Sequence, residues 1–109
     1  MRRIRAFEDA AEQASLGGVA AWGLAASDKP ARVRGPLHLS TGQEAVAAGV
    51  CLNLQRADLL TSTHRGHGHT LAKGADTTRM MCELFGRASG TNKGKGGSMH
   101  IADFSVGML

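Results

Sequence analysis

Large apolar side chains are scarce in this sequence. It contains no tyrosine, one tryptophan and three phenylalanines, so aromatic residues make up only 4% of its 109 positions. Alanine supplies much of the 42% hydrophobic share, and small side chains bury little apolar area each. A chain of this length forms one domain at most. We expect its core to be small and to need burial against more chain or a partner subunit.

Other absences exclude classes of protein. No apolar run approaches the roughly 18 residues of a membrane span, and no apolar segment of a secretory signal follows the basic residues 1–5. Cys51 and Cys82 lack CxxC spacing, so we interpret them as buried free thiols rather than a disulfide or metal pair. These observations predict a cytoplasmic protein with no membrane association.

The positive net charge indicates what kind of partner the chain could bind. The net charge of +4 favours an anionic partner, and a phosphate-bearing cofactor, nucleic acid or an acidic protein surface would all fit. The few aromatic residues are scattered and give no platform on which bases could stack. We therefore predict no nucleic-acid partner.

Helical spacing of apolar residues predicts most of the secondary structure. A first helix over residues 3–24 is weakened or ended early by two glycines at 17–18, and loops follow at 27–30 and 34–36. Its apolar stripe is Ile4, Phe7, Ala11 and Ala14. For a second helix, two capping registers are open: Thr41 with Glu44, or Ser40 with Gln43. Its apolar stripe is Val46, Val50 and Leu54.

The residue pattern in the second half of the chain predicts one strand and further short helices. Residues 59–63 are apolar and then β-branched, which favours a buried strand, and a loop follows at 64–69. A short helical turn over 70–74 ends at Gly74. Asp76 can cap another helix, with Met80, Met81 and Leu84 on it and Gly86 at its end. The polar, glycine-rich residues 87–98 form an ordered loop only if something binds or covers them.

The most unusual segment is residues 64–69, with the sequence HRGHGH. Its glycines let the backbone approach a ligand closely, Arg65 suits bidentate contact with phosphate, and a neutral imidazole can exchange a proton near pH 7. Ligands of open α/β sheets bind at the carboxyl ends of strands, and this segment follows the predicted strand. We interpret it as a phosphate- or proton-handling loop; the alternative is an exposed polar turn.

Spacing alone leaves other segments open. His64, His67 and His69 could in principle bind zinc, but no HExxH, CxxC or carboxylate pair accompanies them. Residues 93–100 (KGKGGSMH) could cradle phosphate through backbone N–H groups, yet they match neither the P-loop nor GxGxxG, and a flexible basic loop is the alternative. Taken alone, His38 fits a structural role.

Four segments, taken in order, resemble one known family. They are residues 38–45 (HLSTGQEA), 61–69 (TSTHRGHGH), 71–74 (LAKG) and 94–100 (GKGGSMH). Together they resemble the alpha subunit of the thiamine-diphosphate-dependent dehydrogenase component of 2-oxo acid dehydrogenase complexes, over nearly the whole chain. His64 before Arg65 is most similar to the acetoin dehydrogenase branch, because pyruvate and branched-chain members more often carry an aromatic residue at position 64.

The resemblance implies roles for five residues. Arg65 corresponds to the arginine that holds the cofactor diphosphate, and His64 and His100 to further cofactor-binding positions. His38 corresponds to a histidine of the substrate channel, and we expect His38 and His67 to be catalytic. The implied cofactors are thiamine diphosphate and Mg²⁺. The implied reaction cleaves a 2-oxo acid or acetoin and passes the acyl group to a lipoyl-bearing partner.

One departure from the family limits what the chain can do alone. It contains no Gly-Asp-Gly, the motif with which the family binds Mg²⁺ and diphosphate, so we expect the metal ligands beyond residue 109. The resemblance implies that residues 1–109 are an N-terminal part of the subunit, inactive alone. The implied partners are a beta subunit, in an alpha2-beta2 heterotetramer, and a lipoyl acyltransferase. The alternatives are a small zinc- or anion-binding module and a non-catalytic remnant that binds a partner subunit.

The fold class that follows is α/β. We expect the opening part of a doubly wound thiamine-diphosphate-binding fold, mostly helical over residues 1–109, with one short parallel-type strand near 59–63.

Overall fold

In a computed structural model, whose described residues are 1–16, 31–33 and 35–109, four α-helices form the framework of the protein. They are α1 (Arg2–Ser15), α2 (Glu44–Cys51), α3 (His67–Ala72) and α4 (Thr77–Leu84), and a 3-10 turn follows at Phe104–Val106. Helix α3 packs against both α1 and α2, and α1 also contacts α4. None of the helices in the described part is long and apolar enough to cross a lipid bilayer. The predicted, mostly helical character of the chain is confirmed.

The apolar stripe of α1 was correctly predicted. Ile4, Phe7 and Ala11 are buried, and Ala14 packs against the same cluster. Because residues three and four apart lie on one face of a helix, the stripe faces α3 and α4. The remainder of the predicted helix, at 17–24, lies outside the described residues, as does the predicted loop at 27–30.

The predicted capping box of α2 is wrong. Gln43 is the N-cap residue, and no side chain caps the first turn of the helix. The Glu44 carboxylate turns instead toward α1, where Oε1 accepts a hydrogen bond from Arg5 Nε at 2.5 Å. A long-range ion pair has replaced the local cap, and local spacing could not have indicated this.

The predicted apolar stripe of α2 is also wrong. Val46 and Val50 are 58% and 44% exposed, and the helix ends at Cys51, before Leu54 is reached. Small residues face inward because α3 approaches closely: a Cβ added to Gly68 would lie 3.1 Å from the Ala47 Cβ. The exposed valines leave an apolar outer face on α2.

The strand predicted near 59–63 does not form in the described part of the chain. Leu60 instead makes an isolated parallel bridge to Met108. Its N–H donates to the Gly107 carbonyl at 2.8 Å, and its carbonyl accepts the Leu109 N–H at 3.0 Å. Leu59 is 68% exposed, so this segment is not the buried run that the pattern predicted.

Helix α4 begins and ends as predicted. Asp76 is its N-cap residue, and Asp76 Oδ1 accepts the Arg79 N–H at 2.8 Å. The helix ends at Leu84, and Gly86 follows with a φ of 66°.

A buried carboxylate orders the glycine-rich segment after α4. Glu83 Oε2 accepts the N–H groups of Asn92 at 2.7 Å and Gly94 at 2.9 Å, and Oε1 accepts that of Gly96 at 2.7 Å. Burial raises the pKa of Glu83, but the backbone donors outweigh it, so the pKa lies below its ordinary value. The sequence predicted that this polar segment is ordered only if something binds or covers it. The Glu83 side chain of the same chain binds it.

The interior of the described part of the protein contains several polar side chains. An apolar cluster joins α1, α2, α3 and α4, yet four of the five largest fully buried side chains among the described residues are polar: His67, Glu8, Glu83 and Thr70. Buried polar groups require hydrogen-bond partners. The scarcity of large apolar side chains is therefore accompanied by buried polar networks.

The Arg5–Glu44 pair predicts a pH dependence of stability. The hydrogen bond from Arg5, followed by the backbone N–H of Glu44 itself, lowers the pKa of Glu44 from 4.5 to about 2. A carboxylate with a depressed folded-state pKa stabilises the fold above its unfolded pKa, and this contribution is lost as pH falls. We expect a loss of stability between pH 4.5 and about 2.

Urea unfolding at a series of pH values tests this expectation. The variant Glu44→Gln should show a shallower decline across the window, while the control Glu12→Gln, elsewhere on the α1 surface, should follow the wild type. If stability declines with falling pH as steeply in Glu44→Gln as in the wild type, the Arg5–Glu44 pair is not the origin of this decline.

Candidate functional site

Three chain segments that carry the predicted site residues converge at the start of α3. Ser40 Oγ donates a hydrogen bond to the Arg65 carbonyl at 3.1 Å, which joins segment 38–40 to segment 62–66. The His38 N–H donates to Ser98 Oγ at 2.9 Å, which joins segment 38–40 to segment 98–100. Residues up to 60 positions apart thus meet in one place.

Two of the predicted site residues, His38 and His64, are in direct contact. Their ring centroids lie 5.1 Å apart, and the ring planes are nearly perpendicular, at 87°. His64 is exposed and His38 is half-buried. An edge-to-face pair of this kind orients both rings, and its outer member remains accessible to a ligand.

Arg65 has a fixed backbone and an exposed side chain. Its carbonyl is held by Ser40 Oγ, and its N–H donates to Thr63 Oγ1 at 3.3 Å. No hydrogen bond or ion pair joins its guanidinium to any residue that the structure describes. A guanidinium in this position can donate two parallel hydrogen bonds to an anionic ligand.

His67 is not at the surface of the site. It is the first residue of α3, so the predicted loop over 64–69 is helical in its second half. The side chain is fully buried; Nδ1 lies 2.9 Å from Glu8 Oε2, and Nε2 lies 3.0 Å from Ser98 Oγ. Both ring nitrogens are thus engaged inside the protein. The catalytic role predicted for His67 stays a prediction, and this geometry favours a residue that positions others.

His100 lies at the edge of a cavity beside the 62–66 segment. The cavity has a volume of about 310 Å³, and Ser62, Thr63, Gly66 and Asn92 line it together with His100. His100 is itself exposed. Its imidazole can therefore reach a ligand that enters next to the backbone of the HRGHGH segment.

The geometry does not support a zinc site. His69 Nδ1 lies 2.9 Å from Ser62 Oγ, and burial lowers the pKa of His69. The ring of His67 is held by Glu8 and Ser98. Within the described ranges, no group of three His, Cys, Asp or Glu side chains could hold a metal ion. A tetrahedral site needs at least three such protein ligands.

A comparison with known proteins agrees with the order of these motifs. The family profile described as "Dehydrogenase E1 component" matches residues 24–108. The chain belongs to this family.

The resemblance predicted from the sequence is thereby confirmed. The alpha subunit of acetoin:2,6-dichlorophenolindophenol oxidoreductase from Bacillus subtilis (strain 168) is 50% identical over 109 residues, which are 100% of this chain and 29% of that protein. The protein of the same name from Cupriavidus necator is 51% identical over 77 residues, 71% of this chain and 23% of that protein. The pyruvate dehydrogenase E1 component subunit alpha of Porphyra purpurea is 49% identical over 67 residues, 62% of this chain and 20% of that protein. The chain therefore spans less than a third of the length of these E1 relatives.

Sequence reasoning missed the buried residues that hold this E1-type site together. Glu8, Ser40 and Ser98 are all buried and bonded to segments that carry predicted site residues. Glu8 did leave a signal, because it lies between Phe7 and Ala11 on the apolar face of α1. A carboxylate on such a face indicates a buried partner, although the sequence does not say which one.

Proposed function

We propose that this chain supplies the diphosphate-binding arm of a thiamine-diphosphate-dependent dehydrogenase that acts on a 2-oxo acid or acetoin. The single observation that carries the proposal is the exposed guanidinium of Arg65, on a fixed backbone and next to the paired His38 and His64 rings. Family membership and the names of the relatives support the same reaction class. The predicted compartment is the cytoplasm.

The residues present fit a diphosphate group. Arg65 offers a planar set of donors with no internal partner among the described residues, which suits bidentate phosphate contact. The glycines of the HRGHGH segment let a ligand approach its backbone, and the net charge of +4 favours an anion. When bound, thiamine diphosphate would act as an electron sink for cleavage of a carbon–carbon bond.

Two imidazoles, of the exposed His64 and the half-buried His38, would handle protons and orientation. His64 would contact the cofactor next to Arg65, and His38, behind it, would face the substrate and exchange a proton with it. His100 would bind from its place at the edge of the cavity of about 310 Å³. The protein groups would also exclude water from the reacting centre.

Partners and a metal ion complete the proposal. Mg²⁺ would be held by residues outside this chain, which contains no Gly-Asp-Gly. A beta subunit would complete the site in an alpha2-beta2 heterotetramer, and a lipoyl acyltransferase would accept the acyl group. The exposed outer face of α2, with Val46, Val50 and Leu52, suits burial against a second subunit.

Turnover in the assembled protein tests the reaction class. The polypeptide, assembled with a beta subunit, should reduce a lipoyl acceptor or an artificial dye in the presence of thiamine diphosphate and Mg²⁺. Acetoin, pyruvate and a branched-chain 2-oxo acid are the substrates to compare. No turnover with any of the three would refute the proposal.

The variant Arg65→Ala tests the assigned contact in the same assembly. Removal of a charged hydrogen-bonding group typically costs about 1.5–3 kcal/mol, so we expect thiamine diphosphate affinity to fall about ten- to hundredfold. Isothermal titration calorimetry measures the change. Arg56→Ala, another exposed arginine, should bind like the wild type, and Arg65→Lys should fall in between, since lysine cannot bind bidentately. Equal affinity in wild type and Arg65→Ala would exclude this role for Arg65.

A further inference from the structure

A buried carboxylate on α1 lies outside the predicted site, yet each of its two oxygens contacts a residue of the segments that form the site. Glu8 is 0% exposed. Its Oε1 accepts the Ser40 N–H at 3.0 Å, and its Oε2 lies 2.9 Å from His67 Nδ1. A buried carboxylate is costly unless it is paired and hydrogen-bonded, and here each oxygen begins a separate chain of contacts.

The first branch runs through Ser40 to the HRGHGH segment. Ser40 Oγ donates to the Arg65 carbonyl at 3.1 Å and accepts the Gly68 N–H at 3.3 Å. The Ser40 backbone is itself tied to Glu8 Oε1. This branch therefore fixes the peptide that presents the Arg65 guanidinium.

The second branch runs through His67 to segment 38–40. A carboxylate only accepts, so His67 Nδ1 carries the proton that it shares with Glu8. On the other side of the ring, Nε2 lies 3.0 Å from Ser98 Oγ and 3.1 Å from the Ser98 carbonyl oxygen. Ser98 Oγ in turn accepts the His38 N–H at 2.9 Å, so this branch fixes the backbone of the residue whose ring meets His64.

Together, the two branches connect the Glu8 carboxylate to the two segments that carry Arg65 and His38. His38 and Ser40 are two residues apart in a segment without regular secondary structure, and each donates its backbone N–H to one branch. We propose that Glu8 is a positioning residue, which sets the place of Arg65 through Ser40 and the place of His38 through His67 and Ser98. What the positioned side chains bind rests on the proposed function; the positioning itself does not.

Three variants separate positioning from simple stabilisation. Ser40→Ala breaks the first branch only, Ser98→Ala breaks the second only, and Glu8→Gln disturbs both. An amide presents one acceptor and one donor in place of two acceptors. In Glu8→Gln the amide oxygen can keep the Ser40 N–H, while the amide N–H groups then face the His67 Nδ1–H, so the contact between residue 8 and the His67 ring is disturbed.

Nuclear magnetic resonance spectra of the full chain measure these changes, and no cofactor is needed. We expect the ring ¹⁵N resonances of His67 to shift in Glu8→Gln, together with the His38, Arg65 and Gly68 amide signals. Ser98→Ala should shift the His38 amide alone, and Ser40→Ala those of Arg65 and Gly68. The control Asp9→Asn, an exposed neighbour on α1, should move none of them.

Loss of stability in Glu8→Gln with all of these signals unmoved would overturn the proposal. The two serine variants, which each lose only one hydroxyl, keep the test decisive if Glu8→Gln does not fold; identical shift patterns in both would also overturn it. In the assembled protein, we expect Glu8→Gln to weaken thiamine diphosphate binding about tenfold, because small misplacements of binding groups are costly. If the wild-type assembly binds no cofactor, the proposed function fails, while the resonance pattern still decides whether Glu8 positions the two segments.

Discussion

Replacement of Glu83 by glutamine is expected to lower the free energy of unfolding by about 1–3 kcal/mol. The carboxylate accepts three backbone N–H groups, from Asn92, Gly94 and Gly96. An amide can accept at only one end and turns its own donor toward the remaining N–H groups. If the amide oxygen keeps the two donors at the Oε2 position, one part-buried N–H is left without a partner, which costs about 1–3 kcal/mol. Small domains have only about 5–15 kcal/mol in total.

Urea unfolding of Glu83→Gln and wild type measures this loss, and amide exchange locates it. Exchange of the Asn92, Gly94 and Gly96 amides should accelerate most. The matched control is Asp76→Asn, at the other end of α4, because asparagine caps a helix about as well as aspartate; its stability should change by less than about 0.5 kcal/mol. A loss below about 1 kcal/mol in Glu83→Gln would contradict the role of this carboxylate.

The second large effect is expected from Gly94→Ala in the same loop. Gly94 has a φ of 75°, and a Cβ at this position would clash with the Gly86 carbonyl carbon and lie 2.7 Å from the Arg87 nitrogen. These are backbone atoms and cannot swing aside. The left-handed conformation costs about 1 kcal/mol for alanine, and the clash adds about 1–3 kcal/mol. We expect a total loss of about 2–4 kcal/mol.

A neighbouring glycine separates the two contributions. Gly97 has a φ of 58°, but no heavy atom lies within 4 Å of a Cβ added there. Gly97→Ala should therefore lose only the conformational part, about 1 kcal/mol. Equal losses in the two variants, measured by thermal or urea unfolding, would show that the close approach of residue 94 to the end of α4 contributes nothing.

The helices that could be predicted from the sequence are those whose apolar stripes are buried by neighbouring helices. The α1 stripe and the Asp76 cap of α4 depend on local spacing, and both were correct. The α2 prediction failed because local spacing competes with tertiary contacts. Glu44 pairs with Arg5, 39 residues away, and the close approach of Gly68 leaves room only for small side chains on the inner face.

The candidate site could be predicted as a set of residues but not as an arrangement. The order of motifs identified the segments, and His38 and His64 do meet. The pattern did not separate the exposed Arg65 from the fully buried His67, two positions later, because α3 begins between them. The pattern also wrongly predicted a strand at residues 59–63. Within the described ranges, Leu60 alone of these residues forms backbone hydrogen bonds of a β-bridge.

The two carboxylates that are fully buried among the described residues, Glu8 and Glu83, show what a sequence pattern can and cannot predict. Glu8 and Glu83 each lie on the apolar face of an amphipathic helix, beside Phe7 and Leu84 respectively. A charge at such a position predicts a buried polar partner. Identification of that partner needs the fold, because neither carboxylate bonds a residue that its own helix supplies.

The two carboxylate centres also differ in how far along the chain they reach, and this bears on the order of folding. The Glu83 contacts close loops of 9, 11 and 13 residues, whereas those of Glu8 span 32 and 59. Loop-closure entropy grows with length, and nonlocal contacts slow folding. We therefore expect the segment around α4 to form early as a local unit. The arrangement of His38 and Arg65 should form later, when α1 packs against the rest of the chain. We therefore expect the geometry of the candidate site to form after the local unit around α4 as the chain folds.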